Sequence, residues 1–143
     1  MTALPDLARV SEALGGRVII SGDCLFVSPE SLFSAAQRLK DPAGFDFEYL
    51  DMITAVDYPD YFELVYRFLS LKRNELVTLK IRLGKDNPAA PSLTPLWQGA
   101  DLQEREIYDL FGIAFTGHPN LRRIMLWEGF TGHPLRKDYQ VAP

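Results

Sequence analysis

Two runs of strict alternation constrain this chain more than any other feature. Phe62, Leu64, Tyr66 and Phe68 alternate with Glu63 and Arg67, and Val77, Leu79, Ile81 and Leu83 alternate with Thr78, Lys80 and Arg82. A period of two puts every second side chain on the same face of a strand, so each run needs one covered apolar face and tolerates one polar face. Lys72-Arg73-Asn74 between them reads as the loop of a hairpin. The chain is therefore expected to build on an antiparallel pair whose apolar side is covered by helices.

The flanking segments supply those helices and further strands. Leu4, Leu7, Val10 and Leu14 fall near helical spacing ahead of Gly15-Gly16, a natural stop. Residues 17–21 and 24–27 are β-branched and aromatic runs on either side of Gly22-Asp23, which predicts a tight hairpin. Ser28-Pro29 offers an N-cap with proline in the first turn, and Leu32, Phe33, Ala36 and Leu39 make a helical face that Asp41-Pro42 ends. Phe45, Phe47 and Tyr49 alternate with Asp46 and Glu48, predicting another strand that loses phase in a bulge over residues 50–53.

Residues 84–95 carry three prolines and read as a loop. It leads into a short amphipathic helix over residues 101–112. Asp101 and Glu104 have capping-box spacing, and Ile107, Tyr108 and Phe111 make the apolar face. Arg105 and Asp109 form an i,i+4 pair, and Gly112 sits where a left-handed cap is wanted. The expected fold class is α+β: a mixed or antiparallel sheet with helices packed on it, followed by a short capped helix and an extended irregular C-terminal tail. An α/β body over residues 1–90 and a helix with its docking segment over residues 91–143 are expected to form a single compact domain with a tail.

Composition narrows the function. With 143 residues, 47% hydrophobic and 24% charged, the chain has the make-up of an ordinary globular domain. A single cysteine, Cys24, excludes an internal disulfide and the roughly four thiolates of an iron–sulfur cluster. Residues 1–116 hold 11 basic and 17 acidic side chains, a net of −6, whereas residues 117–143 hold 4 and 2, a net of +2. An acidic body with a mildly basic tail argues against a nucleic-acid binder. No apolar run approaches the ~20 residues of a membrane span, and the N-terminus lacks the basic start and apolar core of a signal peptide. The expected location is the cytoplasm or a cytoplasmic membrane face, with membrane contact only through a partner.

Residues 117–143 show no period of either kind, yet Leu121, Ile124, Met125, Leu126, Trp127, Phe130 and Leu135 are too apolar for a solvated linker. Such a tail either folds back on its own domain or lies on a partner. It also repeats itself: Phe115-Thr116-Gly117-His118-Pro119 recurs as Phe130-Thr131-Gly132-His133-Pro134. His118 and His133 with a carboxylate could form the zinc site of a stand-alone hydrolase, but HExxH spacing is absent, and the plainer reading is two turns fixed by histidine hydrogen bonds. There is no nucleophile elbow and no glycine-rich phosphate loop. No catalytic, cofactor-binding or metal residue is assigned.

The run Glu104-Arg105-Glu106-Ile107-Tyr108-Asp109-Leu110-Phe111-Gly112-Ile113, followed by His118, Arg122-Arg123 and the tail through Gly132-His133-Pro134-Leu135-Arg136-Lys137-Asp138-Tyr139, resembles the 30-kDa subunit family of respiratory complex I, to which the C subunit of the bacterial NADH–quinone oxidoreductase belongs. Pro91-Ser92-Leu93-Thr94-Pro95-Leu96-Trp97 looks like that family's lead-in to the helix, and Asp57 after Thr54-Ala55-Val56 like its mid-sheet segment. The resemblance implies a subunit without its own redox centre in the peripheral arm of a proton-translocating complex, on the cytoplasmic face of the cell membrane. FMN, iron–sulfur clusters, NADH and quinone are then expected in other subunits. The implied partner is the large hydrophilic subunit that helps form the quinone cavity, and the implied use of the C-terminal extension is to run over it. Related subunits occur in membrane-bound hydrogenases and in other quinone- or cofactor-linked dehydrogenases, so an equivalent place in a membrane-bound hydrogenase or other complex-I-like dehydrogenase is the alternative.

On this reading Glu104, Arg105, Glu106 and Asp109 make charge-assisted bonds within the tail or across the interface, opposite Arg122, Arg123, Arg136 and Lys137. Leu121, Ile124, Leu126, Trp127 and Leu135 are the apolar anchors. Tyr108, His118, His133, Asp138 and Tyr139 complete the candidate interface.

Overall fold

The computed structural model describes residues 3, 5–15 and 18–141. Helix α1 spans Leu7–Ala13, with the Asp6 carboxylate accepting from Arg9 N at 3.4 Å as its cap. Leu4 and Gly16, expected at its ends, lie outside the described residues. Strands β1 (Ile19–Ser21) and β2 (Cys24–Phe26) form the expected hairpin around Gly22, whose φ of 61° is the left-handed geometry a tight turn needs. A 3-10 turn over Pro29–Ser31 then runs into helix α2, Leu32–Lys40, which buries Leu32, Ala35, Ala36 and Leu39. The proline thus starts a tight turn ahead of the helix, and Ser28 makes no side-chain cap.

Strands β3 (Tyr49–Asp57), β4 (Tyr61–Ser70) and β5 (Glu75–Gly84) complete a five-stranded sheet in the order β1-β2-β5-β4-β3. All neighbours are antiparallel except β2 and β5, which run parallel, so the sheet is mixed. The two alternating runs pair as the periodicity requires: Phe62 faces Leu83, Leu64 faces Ile81, Tyr66 faces Leu79 and Phe68 faces Val77. All eight are buried, and Leu25 of β2 extends the Tyr66–Leu79 row. Val10 of α1, the apolar face of α2 and a later helical residue, Ile107, join the same core cluster.

The strand expected over 45–49 is absent, and β3 begins only at Tyr49. Asp46 has φ 55°, which breaks an extended run. Gly44 N and Asp46 N both bond Asp41 O, and Phe47 N bonds Leu39 O at 2.8 Å, so this segment wraps the end of α2. Phe45 and Phe47 are both buried there, with ring centroids 6.5 Å apart. Their spacing reflects a plug under a helix end, which copies the signature of a strand. The register shift falls between Leu50 and Met52, where the phase loss in the sequence placed a bulge.

The proline-rich stretch is also more ordered than a loop. Strand β6, Ala89–Pro91, pairs in parallel with β7, Ala114–Thr116, as a separate two-stranded sheet. Ala-Ala-Pro carries no strand propensity of its own, and its hydrogen bonds come from a partner strand far along the chain. Between β6 and β7 lies helix α3, Ala100–Phe111, capped by Gly112 at φ 76° as expected. It lies along the edge strand β3, and Gln103 Oε1 accepts the Ile53 N–H at 2.6 Å. An edge strand left open is a template for unwanted pairing; here a helix covers it.

Leu79 sits at the centre of this core, fully buried between β2 and β4. Leu79→Ala is expected to lower the unfolding free energy by about 2–5 kcal/mol, read from the midpoint shift in urea.

Candidate functional site

Helix α3 carries two carboxylates that no solvent reaches: Glu104 and Asp109 are each 0% exposed. A buried charge is costly unless it is hydrogen-bonded, and each of these binds a segment on one side of the helix in sequence. Glu104 reaches back. Its Oε1 accepts from Ser92 Oγ at 2.6 Å and its Oε2 from Leu93 N at 2.8 Å. The capping box expected from Asp101 and Glu104 therefore does not form; the N-cap is Gly99 without a side-chain bond. Burial raises the Glu104 pKa above the ordinary carboxylate value, and Asp101 adds to the rise; the bonds from Ser92 and Leu93 and the nearby His118 oppose it. Tyr66, buried on the sheet beside it, is pushed well above the usual tyrosine value by burial first and by the Glu104 charge second.

Asp109 reaches forward. Its Oδ2 accepts three successive backbone N–H groups, Ile124 at 3.1 Å, Met125 at 2.7 Å and Leu126 at 2.9 Å. Its Oδ1 takes Arg123 Nη1 at 2.6 Å. Burial pushes its pKa upward, but Arg123 and the three amides outweigh that and hold it below the ordinary range. Arg123 also donates to Asp109 O at 3.0 Å and to Gly132 O at 2.8 Å. The i,i+4 pair of Arg105 with Asp109 is replaced: Arg105 donates to the carbonyls of Arg122 and Arg123 at 3.1 and 3.2 Å. Both arginines thus hold the tail against the helix.

The repeated Gly-His-Pro turns grip opposite ends of α3. His118 Nε2 lies 3.3 Å from Asp101 O and 2.9 Å from Asp101 Oδ1, and its Nδ1 accepts from Asn120 N at 2.9 Å. His133 Nδ1 donates to Asp109 O at 2.9 Å. The partners require opposite tautomers, Nε2–H in His118 and Nδ1–H in His133. Their anchor points are eight residues apart, about 12 Å along the helix, so the two imidazoles do not converge on one ion. Among the described residues no group of three or more histidine, cysteine or carboxylate side chains could hold a metal.

Beyond His133, Leu135 N bonds Leu110 O at 2.9 Å and Arg136 Nε bonds Phe111 O at 2.5 Å. Gly112 makes room for this return: a Cβ there would stand 2.6 Å from the His133 ring and 2.9 Å from Arg136. Asp57, buried at the end of β3, fixes the far end of the tail. It pairs with Lys85 through Oδ1 and accepts Lys137 N at 2.8 Å through Oδ2. Tyr139 packs its ring on Gly132, where a Cβ would meet it at 2.9 Å.

The tail therefore turns its amides at 124–126, Arg123, Arg136 and its histidines inward. Of the expected charge pairs on α3 only Asp109–Arg123 forms. Glu106 and Asp138 are exposed, as is Arg122, which lies 3.9 Å from Glu128 at the surface. Lys137 contributes its backbone, and Tyr108 is half-buried with its ring 6.4 Å from that of His133. Four of the tail's apolar side chains face solvent, while Leu121 packs against the core. Trp127 is 70% exposed, Met125 62%, Leu135 52% and Ile124 36%, while Leu121 and Leu126 are half-buried. Sequence reasoning named Ser92 and Asp57 within family-like segments but gave neither a role. An acid at 57 is in phase with the inward-facing Ile53 and Ala55, and that phase was its signal; nothing marks Ser92 apart from other loop serines.

The fold and this site define a two-layer α+β domain whose C-terminal tail is strapped across a single helix. The family model for the 30-kDa subunit of the respiratory-chain NADH dehydrogenase matches residues 25–143. Curated relatives include the NADH-quinone oxidoreductase C subunit of Roseiflexus sp. (strain RS-1), 42% identical with 94% of this chain and 80% of the relative covered. That of Moorella thermoacetica is 40% identical over 96% and 93%. Among solved structures, the trypsin-resistant fragment of Nqo5 is similar at 29% identity and TM-score 0.67, over 80% of this chain and 98% of that one. A chain of the archaeal membrane-bound sulfane sulfur reductase shares the fold at 22% identity and TM-score 0.73, over 94% and 83%. The chain belongs to the complex I 30-kDa subunit family and is a subunit of an NADH–quinone oxidoreductase. No helix among the described residues is long and apolar enough to cross a membrane.

The two carboxylates make opposite predictions. Asp109, depressed, adds stability above the ordinary carboxylate pKa of ~3.9, and that stability disappears as pH falls through its own lower value. Asp109→Asn is expected to flatten the acid limb of a Tm-against-pH curve, and Asp109→Ala, which strands Arg123, to cost about 3–5 kcal/mol. Glu104, raised, contributes fully below the ordinary value and less as pH rises through its folded value. Glu104→Gln, which can still bond Ser92 and Leu93, is expected to hold its stability at neutral pH within about 0.5 kcal/mol. Glu104→Ala, which leaves both donors unmet, loses about 1–3 kcal/mol in chemical denaturation.

Proposed function

We propose that this chain is a scaffold subunit of the peripheral arm of a proton-translocating NADH–quinone oxidoreductase. It docks on the large hydrophilic subunit that forms the quinone site and supplies no catalytic or cofactor-binding residue of its own. Complex I carries FMN and iron–sulfur clusters in other subunits, and in this reading the electron path stays there. The chain sits at the cytoplasmic face of the membrane and reaches the bilayer only through its neighbours.

The observation that carries this reading is the inversion of the tail. A segment folded for water buries apolar groups and exposes polar ones. This one commits three successive amides, Arg123, Arg136 and both histidines to α3 and leaves Trp127, Met125 and Leu135 outside. Trp127 packs edge-on against Phe130 at 5.1 Å, and Arg123 stands over the Phe130 ring at 5.5 Å. Aromatic side chains on a braced backbone are the composition of an interface hot spot. A neighbour that covers this ridge gains apolar burial, and a stiff ridge gives its loops a fixed surface to rest on.

Trp127→Ala removes an exposed ring and is expected to leave the thermal midpoint of the isolated chain nearly unchanged. In membranes it should weaken retention of the subunit by at least about thirtyfold, the effect of a hot spot of ~2 kcal/mol, with a matching loss of quinone reduction. Normal assembly and turnover in that variant would falsify the docking role.

A further inference from the structure

The helices join the core on one face of the five-stranded sheet; among the described residues, Phe26, Val65, Lys80 and Arg82 on the other face stay half-buried or exposed. Register aligns Phe26, Lys80 and Val65 in one row of that face and Arg82, Glu63 and Val56 in the next. The chain is acidic overall, at −4, but this end of the open face is not. Glu63 is 3% exposed and lies under two cations, with Lys80 Nζ at 3.2 Å and Arg82 Nε at 3.8 Å. One carboxylate between two cations leaves a positive charge at the surface.

That charge is held in place. The Arg82 guanidinium stands 4.9 Å from the Phe26 ring and 4.7 Å from the Tyr61 ring, and the side chain is 55% exposed. A planar cation clamped between two rings gives up little freedom when it binds a carboxylate through two parallel bonds. Beside it runs a groove of about 520 Å³, lined by Ile19, Phe26, Val27, Pro29 and Arg82 among others. Ile19 is 70% exposed and belongs to β1, the last strand on its side of the sheet.

We propose that this groove is a second protein interface, distinct from the tail ridge, and that it receives an acidic extended segment of a neighbouring subunit. One carboxylate of the segment takes the Arg82 fork, and an apolar side chain fills the groove against Ile19, Phe26 and Pro29. The charge selects the sign of the occupant. Its arrangement selects the class: anionic membranes are met by clusters of about four to eight basic side chains, whereas this is one oriented guanidinium in an apolar setting. The inference rests on the chain being a subunit of a complex and is independent of where the tail docks.

The test uses the assembled complex with a photo-crosslinking residue at Ser28, which lines the groove. The expected product joins this chain to another subunit through a peptide containing Asp or Glu. Its yield per assembled complex should fall at least tenfold in Arg82→Glu and less in Arg82→Lys, with melting of each isolated variant as the folding control. Crosslinks to lipid, to a second copy of this chain or to a peptide without a carboxylate overturn the proposal, as does a yield indifferent to Arg82→Glu. If the Trp127 variant assembles normally while this crosslink forms, the tail reading fails and the groove stands.

Discussion

The carboxylate of Asp109 joins the body of this protein to its tail. Unpaired and buried, it would be costly enough to unfold the region; with four donors around it, three of them consecutive amides, it becomes the strongest local constraint on residues 123–126. Those amides have no strand or helix to pair with, so their alternative partner is water. Glu104, one and a half turns earlier, does the same for residues 92–93. A 12-residue helix thereby organises the chain that enters it and the chain that leaves it. The two ties differ in character. Ample donors keep Asp109 ionised, while sparse donors and burial favour protonation of Glu104.

The rest follows from where those ties hold the tail. Arg105 and Arg123 bridge helix and tail through carbonyls, His133 locks onto the carbonyl of Asp109, and Asp57 secures Lys137 at the opposite end. With those backbone and side-chain groups occupied, the segment leaves Met125, Trp127 and Leu135 outward beside the exposed Arg122, Glu128 and Asp138. Inherently unstructured docking segments pay their ordering entropy at the moment of binding. In the proposed docking role, a tail braced in advance has that cost already met before any neighbour arrives.

Much of this was legible in the sequence because local signals and tertiary context agreed. The hairpin of β4 and β5, the bulge after Leu50 and the Gly112 cap each follow from period, phase or a glycine. The failures share one cause. Phe45 and Phe47 imitate a strand because a helix-end plug and a strand both bury alternate residues, and only the left-handed Asp46 separates them. Glu104 imitates a capping residue and Asp109 a surface ion pair because acids on short helices usually face water. Pairing information for β6 and for Ser92 lies far along the chain, where no local pattern reaches. The family motif singled out residues 104–139 as a group, while their division into inward ties and exposed apolar side chains depends on tertiary contacts that no local pattern carries.

The most direct test of a tail braced for docking is the structure of the assembled complex around residues 121–139. Trp127, Met125 and Leu135 are expected to be buried there against the large subunit, with the amides of residues 124–126 still on the Asp109 carboxylate. A ridge left in solvent, or a tail detached from Asp109 and rebuilt on the neighbour, would contradict it.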